Sequence, residues 1–252
     1  MLSKINTNYI KLQDKELNFL KVKAVEHQLI DVIELNNALE VRFKLKDVEE
    51  CYIQTPNLVN GLRLGIIYYK TALYLSFFAD VKFEGYAQKS YTILTELFNS
   101  VPVETELYLF VVSYRASALA LVSAETKKIK LLVNAFSLLN DAVNKYASIS
   151  YLPEFLRGSI AENLPWFCLT KRKIAKQDFQ SIIEKYNKNS EYANNKVMSN
   201  IYLAWARQHK QSKKYSVKVL EYLNNVIILD PHYNAGRKQA EDLKGIILIN
   251  YF

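Results

Sequence analysis

Apolar residues recur at helical spacing along most of the chain. Near its start, Val22, Val25, Leu29 and Val32 follow the i, i+3, i+7, i+10 spacing of one helix face. Neither proline nor glycine occurs before Pro56, so this region contains no strong helix breaker. The pattern predicts an N-terminal helical segment, residues 1–55, with two helices over 14–35 and 38–53.

The second of these segments also fits a strand. Leu39, Val41, Phe43 and Leu45 alternate with polar residues, as in a half-buried strand. Val41, Leu45, Val48 and Tyr52 fit one face of a helix equally well. The sequence leaves both interpretations open.

From Pro56 onward the pattern predicts helices in consecutive pairs. Short polar connections separate amphipathic stretches, and the Asp230-Pro231 step ends the last paired helix. The expected fold class is therefore all-α. The predicted helices span 57–79 and 83–98, 104–123 and 128–147, 153–163 and 172–186, 191–209 and 213–229, and finally 234–249.

The second helix of each pair carries a repeated small-to-large spacing. A small residue is followed four positions later by a large apolar one, and the small residues recur at intervals of 48, 40 and 44 residues. Such a period is typical of stacked helical units rather than one wrapped core. The repeated pairs are Ala87/Tyr91, Ala135/Leu139, Ala175/Phe179 and, less closely, Val219/Leu223.

Two stretches resemble the tetratricopeptide repeat family. Residues 214–231, which end in Leu-Asp-Pro, resemble the second helix of such a repeat, and Leu-Gly-Ile-Ile-Tyr at 64–68 is similar to the core of the first helix. Leu-Ala-Trp-Ala at 203–206 resembles that core less closely. The resemblance covers 56–231, but the period exceeds the family's usual length of about 34 residues, which leaves a neighbouring α-solenoid class open.

The resemblance implies a right-handed α-α solenoid. About four tetratricopeptide-like helix pairs would form a repeat domain over residues 56–252, preceded by the two N-terminal helices. The final predicted helix would cap the otherwise exposed apolar face of the stack. The family's first helices line a concave groove, which implies that this groove binds a partner.

The composition gives no support to common catalytic sites. The chain has 6 Gly, 2 Cys and 3 His, and it carries no phosphate loop, nucleophile elbow or zinc-binding motif. His27, His209 and His232 lie in different predicted elements with no cysteine spaced to join them. We therefore expect no catalytic residue, metal or cofactor, and a protein that is not an enzyme.

Positive charge is concentrated in one stretch. Residues 171–218 hold 12 Lys or Arg against three Asp or Glu, within a net charge of +8. Such a patch could attract an acidic protein, a phosphate-rich polymer or an anionic membrane surface, or could be a solvated lysine-rich face. On the premise that the patch lacks aromatic interleaving and a recognition motif, nucleic acid is not the expected partner. The candidate basic patch is Lys171, Arg172, Lys173, Lys176, Lys210, Lys213 and Lys214.

Arginine is used sparingly, and four arginines fall in the predicted first helices. In a concave groove they could bind an acidic peptide, a chain-terminal carboxylate or a small anion, and nearby tyrosines could add contact area. The alternative is that these arginines form salt bridges between helices. The candidate partner-binding residues are Arg63, Tyr68, Tyr108, Arg115, Arg157 and Arg207.

The third predicted pair contains a costly glycine. Gly158 lies inside a predicted helix, where glycine costs about 1 kcal/mol relative to alanine, so we expect a close helix crossing there. The following Leu-Pro-Trp-Phe turn at 164–167 is expected to bury its two large rings between repeats.

The favoured function is noncatalytic: a scaffold that binds another protein or peptide in its groove. The alternatives are a small-molecule-binding accessory of a transport system, and nucleic-acid or anionic-surface binding through the basic region. Residues 1–8 show no signal-peptide pattern, which predicts a cytoplasmic protein, or an exported one if a leader has been removed. The longest apolar stretches are interrupted by polar residues, so no transmembrane segment is expected, and the sequence gives no oligomeric state.

Overall fold

The structure is a computed structural model that describes residues 2–76, 81–164, 169–233 and 235–251, and across these residues it is all-helical. A π-helical turn at Ala72–Ser76 and 3-10 turns at Val81–Phe83, Ser190–Tyr192 and Lys213–Tyr215 join or extend the helices. The α-helices are α1 (Leu2–Ile33), α2 (Ala38–Gln54), α3 (Leu58–Thr71), α4 (Tyr86–Ser100), α5 (Glu106–Thr126), α6 (Ile129–Tyr146), α7 (Leu152–Glu162), α8 (Leu169–Lys188), α9 (Asn195–His209), α10 (Ser216–Leu229) and α11 (Arg237–Tyr251).

The all-α prediction is confirmed, and the strand alternative for the second segment is wrong. Residues 38–54 form α2, whose Val41, Leu45 and Val48 are buried on one face. Leu39 and Phe43, which the strand pattern would bury, are 64% and 71% exposed. One buried helical stripe therefore decides the structure of this segment, and the apparent alternation arises from apolar residues that face solvent.

Two helix boundaries differ from prediction by more than four residues. Helix α1 begins at Leu2, whereas the prediction began at residue 14, consistent with the absence of any Pro or Gly in this region. Helix α3 ends at Thr71 and continues as the π-helical turn, whereas the prediction ran as an α-helix to residue 79. The last predicted residues of that helix, 77–80, lie outside the described residues.

The chain divides into two compact units, Met1–Leu152 and Pro153–Phe252. In the first unit, α2 to α5 each pack against the helix that follows, and α1 packs across both α3 and α5. The helices of the predicted N-terminal segment, residues 1–55, therefore contribute to the core of the first unit. The predicted boundary at 55/56 is not where the compact units divide.

Helix α5 forms the centre of the first unit. It is long and apolar enough to cross a membrane by length and composition alone, yet 72% of its most apolar stretch is buried inside the protein. Its Ser113 and Ser117 hydroxyls donate to backbone carbonyls one helical turn earlier, at 2.7 and 2.9 Å, which satisfies these buried polar groups. The edge-to-face contact of Tyr69 and Tyr114, with centroids 5.6 Å apart, joins α3 to α5.

In the second unit, α8 to α11 also pack in chain order. Helix α7 approaches α8 at Gly158, where an added β-carbon would lie 2.9 Å from the Phe179 ring. The predicted close crossing is thus confirmed. The predicted turn at 164–167 lies mostly outside the described residues, as does Cys168.

The repeated small positions all lie in the core. Each is fully buried, and the large residue that follows four positions later is fully buried in three of the four pairs. Small residues at these points let neighbouring helices approach closely. The buried small positions are Ala87, Ala135, Ala175 and Val219.

Candidate functional site

Arg63 links the first three helices. Its guanidinium donates to both carboxylate oxygens of Asp31 on α1, with an Nε to Oδ1 distance of 3.3 Å. Lys44 of α2 approaches the same carboxylate at 2.8 Å, and Arg63 also reaches the half-buried Cys51 sulfur at 3.6 Å. Burial acts to raise the pKa of Asp31, but the hydrogen bonds and charges of Arg63 and Lys44 outweigh it and lower that pKa.

Arg157 and Arg207 make the corresponding contacts in the second unit. Arg157 of α7 holds the buried Asp178 of α8 through two bonds, of 2.9 and 2.6 Å. Arg207 of α9 holds Glu162 of α7 through two bonds, of 2.8 and 3.0 Å. Burial raises the pKa of Asp178 even though Arg157 acts in the opposite direction. Both arginines therefore connect helices, as the salt-bridge alternative supposes.

Arg115 has aromatic rather than acidic neighbours among its described contacts. Its Nε donates to Thr95 Oγ1 at 3.1 Å, and its guanidinium lies 4.3 Å from the centroid of Phe98 and 5.5 Å from that of Tyr91. The centroid of the Tyr108 ring lies 5.5 Å from that of Phe98. Two predicted residues are thus brought together on the surface of α4 and α5. We call Tyr91, Phe98, Tyr108 and Arg115 the aromatic ledge.

Tyr68 lies in an open cleft of ≈ 340 Å³ between α3 and α4. Its ring meets Tyr86 edge to face with centroids 5.3 Å apart. Burial raises the pKa of Tyr68, and so do the negative charge of Glu49 and the hydrogen bond between the Tyr68 hydroxyl and Glu49. The hydroxyl therefore stays protonated. We call this depression the α3–α4 cleft; its lining includes Leu64, Tyr68, Lys89, Thr92, Ile93 and Glu96.

Cations lie over aromatic rings at the rim of the cleft. Lys89 Nζ lies 4.1 Å from the Tyr86 centroid, and Lys82 Nζ lies 4.9 Å from that of Phe83. The left-handed backbone of Gly85, with φ 82°, makes the turn that leads into α4. Sequence reasoning missed these residues, although basic and aromatic residues are interleaved over 82–89.

The predicted basic patch occupies the start of α8, the end of α9 and the turn before α10. Within it, Lys173, Lys210 and Lys213 are exposed. Burial, with the charges of Lys176 and Lys218, lowers the pKa of His209 despite a bond to the Trp205 carbonyl. Lysines from α8 and α10 therefore both lie near the end of α9.

Aromatic rings do accompany the basic patch in space, contrary to the sequence premise. Trp205 stacks on His209 with centroids 3.9 Å apart, and Tyr215 meets His209 edge to face at 4.8 Å. Lys218 Nζ lies 5.4 and 5.3 Å from the centroids of Trp205 and Tyr222. Trp205 and Tyr215 stand within the basic stretch 171–218 of the sequence, so the premise overlooked rings that the sequence itself contains. Both Trp205 and Tyr222 are buried, 3% and 5% exposed.

A buried polar network, also missed by sequence reasoning, lies beside the Arg157 pair. Glu154 of α7 accepts from Ser181 at 2.9 Å, from Lys185 at 2.7 Å and from Tyr192 at 3.4 Å. Because three donors bond to this carboxylate, it holds α7 to α8 and to the turn that follows α8. Among the described residues, no group of three or more His, Cys, Asp or Glu side chains could hold a metal ion.

No protein-family model, curated protein or solved structure matches the chain.

Proposed function

We propose that the protein is a noncatalytic, tetratricopeptide-like α-solenoid scaffold that binds a peptide segment of a partner protein. The observation that carries this proposal is the α3–α4 cleft, an open depression beside helices that pack in chain order. The burial of the repeated small positions supports the solenoid arrangement.

The lining of the cleft suits a short peptide. Leu64 and Ile93 offer apolar contact, while Lys89 and Glu96 offer opposite charges at the edges. A partner side chain could bury an apolar group against Leu64 and pair a carboxylate with Lys89. Because the cleft is open, a small molecule would keep much of its surface in water, which favours a peptide over the small-molecule alternative.

The aromatic ledge extends the proposed surface along α4. Thr92 lines the cleft and Thr95, one turn onward, accepts from Arg115. A peptide that follows α4 would meet the cleft first and the half-buried Arg115 next, where an aromatic or acidic side chain fits the guanidinium.

The position of α1 also favours the cleft over the concave groove. Helix α1 packs across α3 and α5, which are the first helices of two predicted pairs. Its Val22, Leu29 and Val32 are buried. In the first unit, α1 therefore lies against two of the helices to which the family resemblance would assign a partner.

A site-specific photo-crosslinker tests this function. Gln88 lines the cleft and Asn134 is exposed on α6. A crosslinking residue is placed at either position in the full chain and irradiated in a lysate of the source cell at moderate salt. We expect a discrete partner protein to be captured from position 88 and not from position 134.

A blocking variant makes this test specific. Thr92→Arg places a long side chain at the cleft, and Asn134→Arg adds the same charge on α6. Only Thr92→Arg should abolish the crosslink, while thermal unfolding of both variants stays near that of the parent protein. Equal capture from both positions, or capture that survives Thr92→Arg, would contradict the proposal.

A further inference from the structure

We propose that the second unit carries a separate docking surface for an acidic protein segment. The surface, which we call the basic end, consists of the start of α8 (169–176) and the end of α9 with the start of α10 (209–218). This inference rests on the proposed function in one respect, that the partner is a protein. It concerns a different unit and different residues from the α3–α4 cleft.

The basic end has one sign of charge. Its two stretches hold eight Lys or Arg and no Asp or Glu. Of the nearest acids in the sequence, Asp178 holds Arg157 and Glu162 holds Arg207, and the exposed Glu221 follows Lys218 by three positions. The eight cations of the basic end outnumber these acids, and their positive potential would attract an anionic ligand and raise its association rate.

Helix packing concentrates these charges. Helix α8 packs on α9, and α9 packs on α10. Lys176 of α8 and Lys218 of α10 both face His209 at the end of α9, beside the rings of Trp205 and Tyr215. Both lysines act on the same imidazole, so a carboxylate bound there would offset positive charge from two helices at once.

The surface favours an acidic peptide over a nucleic acid. Proteins that bind single-stranded nucleic acid gain affinity when bases stack on exposed aromatic rings. At the basic end Trp205 and Tyr222 are buried, and His209 stacks on one ring and meets the edge of another. Val217, by contrast, is 70% exposed among these lysines, and it offers apolar contact that a peptide with mixed acidic and apolar side chains can use.

His209 gives the site a pH dependence. The groups that face it are Lys176, Lys218, the Tyr215 ring and, on its own helix, the ring and carbonyl of Trp205. A carboxylate bound between these lysines would favour the protonated imidazole. Burial and these lysines lower the pKa of His209 in the free protein, so by linkage the affinity for an anionic peptide should rise as the pH falls below about 7.

The test uses the full chain and a fluorescein-labelled peptide of repeated Glu-Glu-Leu, with a Gln-Gln-Leu peptide as the neutral control. We expect only the acidic peptide to bind, with affinity that falls as salt rises. The triple variant Lys173→Glu, Lys213→Glu, Lys214→Glu should weaken binding at least about tenfold. His209→Gln should retain binding at high pH and lose its increase toward low pH.

Matched variants separate this inference from the proposed function. Lys46→Glu, Lys128→Glu, Lys130→Glu changes the same net charge on exposed lysines of the first unit and should leave peptide binding nearly unchanged. Thr92→Arg should also leave it unchanged. If Thr92→Arg abolishes peptide binding instead, the acidic segment occupies the cleft and the basic-end proposal is wrong while the scaffold proposal stands.

The opposite pattern is also decisive. Loss of peptide binding in the triple variant, together with no capture from position 88, would support the basic end and reject the cleft. Oligouridylate that binds more tightly than the acidic peptide at the same salt, and displaces it, would overturn the choice of a protein segment. Vesicles of anionic lipid that displace the peptide more effectively than any peptide competitor would overturn it likewise.

Discussion

Two helical glycines have opposite surroundings. A β-carbon at Gly65 would lie 2.6 Å from the Leu94 side chain, whereas one at Gly245 would meet nothing within 4 Å. Gly65→Ala should therefore reduce the free energy of unfolding by about 1–3 kcal/mol, since α3 and α4 must move apart. Gly245→Ala should increase it by about 0.5–1 kcal/mol, because alanine has the better helix propensity. Urea denaturation measures both changes.

Gly245→Ala controls for the general effect of replacing a helical glycine with alanine. Both variants add one methyl group within a helix, so any difference between them comes from their neighbours. If Gly65→Ala were as stable as the parent protein, α3 and α4 would not cross as closely as the structure shows.

Asp31 should make stability depend on pH. Its carboxylate is held by Arg63 and Lys44, and its pKa is lower in the folded chain than in the unfolded chain. A lowered pKa contributes stability above the unfolded value of about 3.9, and this contribution is lost as the pH falls through the folded pKa. The free energy of unfolding of the parent protein should decline in this acidic range, and that of the Asp31→Asn variant should decline less steeply.

This pH dependence is measured by urea denaturation between about pH 2 and pH 6, the range that contains the ordinary pKa of an aspartate. Asp47→Asn, an exposed aspartate on α2, serves as the control. An Asp31→Asn profile parallel to that of the parent protein would show that the Arg63 contact does not stabilise the folded chain through this carboxylate.

At the scale of single elements, α1 is held by polar anchors as well as apolar packing. Glu26 is buried in α1 and accepts from the Tyr151 hydroxyl at 2.9 Å. Tyr151→Phe removes this donor and leaves the carboxylate less satisfied, which costs about 1–3 kcal/mol. In this variant the amide hydrogens of residues 18–33 should therefore exchange with solvent faster than in the parent protein.

Hydrogen exchange read by mass spectrometry follows α1 directly. Tyr91→Phe, which removes a hydroxyl elsewhere in the first unit, provides the control and should leave exchange in α1 unchanged. Unaltered protection of residues 18–33 in Tyr151→Phe would mean that apolar packing alone holds the helix.

The helices could be predicted from the sequence, and the contacts between them largely could not. Periodic apolar residues mark a helix face locally, which is why even the ambiguous α2 contains its predicted stripe of Val41, Leu45 and Val48. The ion pairs, however, join residues that are far apart in the chain. Arg63 lies 32 positions from Asp31, Arg157 lies 21 from Asp178, and Arg207 lies 45 from Glu162.

The candidate site shows the same division. Residue type points to Tyr68 and Arg115, but their surroundings depend on how α4 packs against α3 and α5. Likewise, the basic patch is a charge run in the sequence, while the contact of Trp205 with Tyr222 beside it depends on how α9 packs against α10. Helix spacing predicts a face; it does not predict which face of which helix will oppose it.

At the scale of the whole molecule, charge is divided unevenly between the units. Residues 153–252 hold 16 Lys or Arg against nine Asp or Glu, whereas residues 1–152 hold 17 against 16. Adsorption to a negatively charged matrix should therefore take place mainly through the second unit. Lys173→Glu, Lys213→Glu, Lys214→Glu should elute from a cation exchanger at clearly lower salt than the parent protein.

The expected elution depends on where the charges lie and not on the net charge alone. Lys46→Glu, Lys128→Glu, Lys130→Glu has the same net charge as the first triple variant and should elute at higher salt than it does. Coincident elution of the two triple variants would show that total charge, and not its location, governs adsorption.

The close helix crossings also bear on how this chain can diverge. An added β-carbon would come within 3.0 Å of a neighbour at three glycines, against Leu94 at Gly65, against Phe179 at Gly158, and against Leu203 at Gly236 in the turn before α11. A larger residue there forces the neighbouring side chain or helix to shift, whereas an exposed lysine can be exchanged at little cost to the fold. Over long descent, these glycines should outlast the surrounding sequence, and their spacing should identify distant relatives after overall identity has faded.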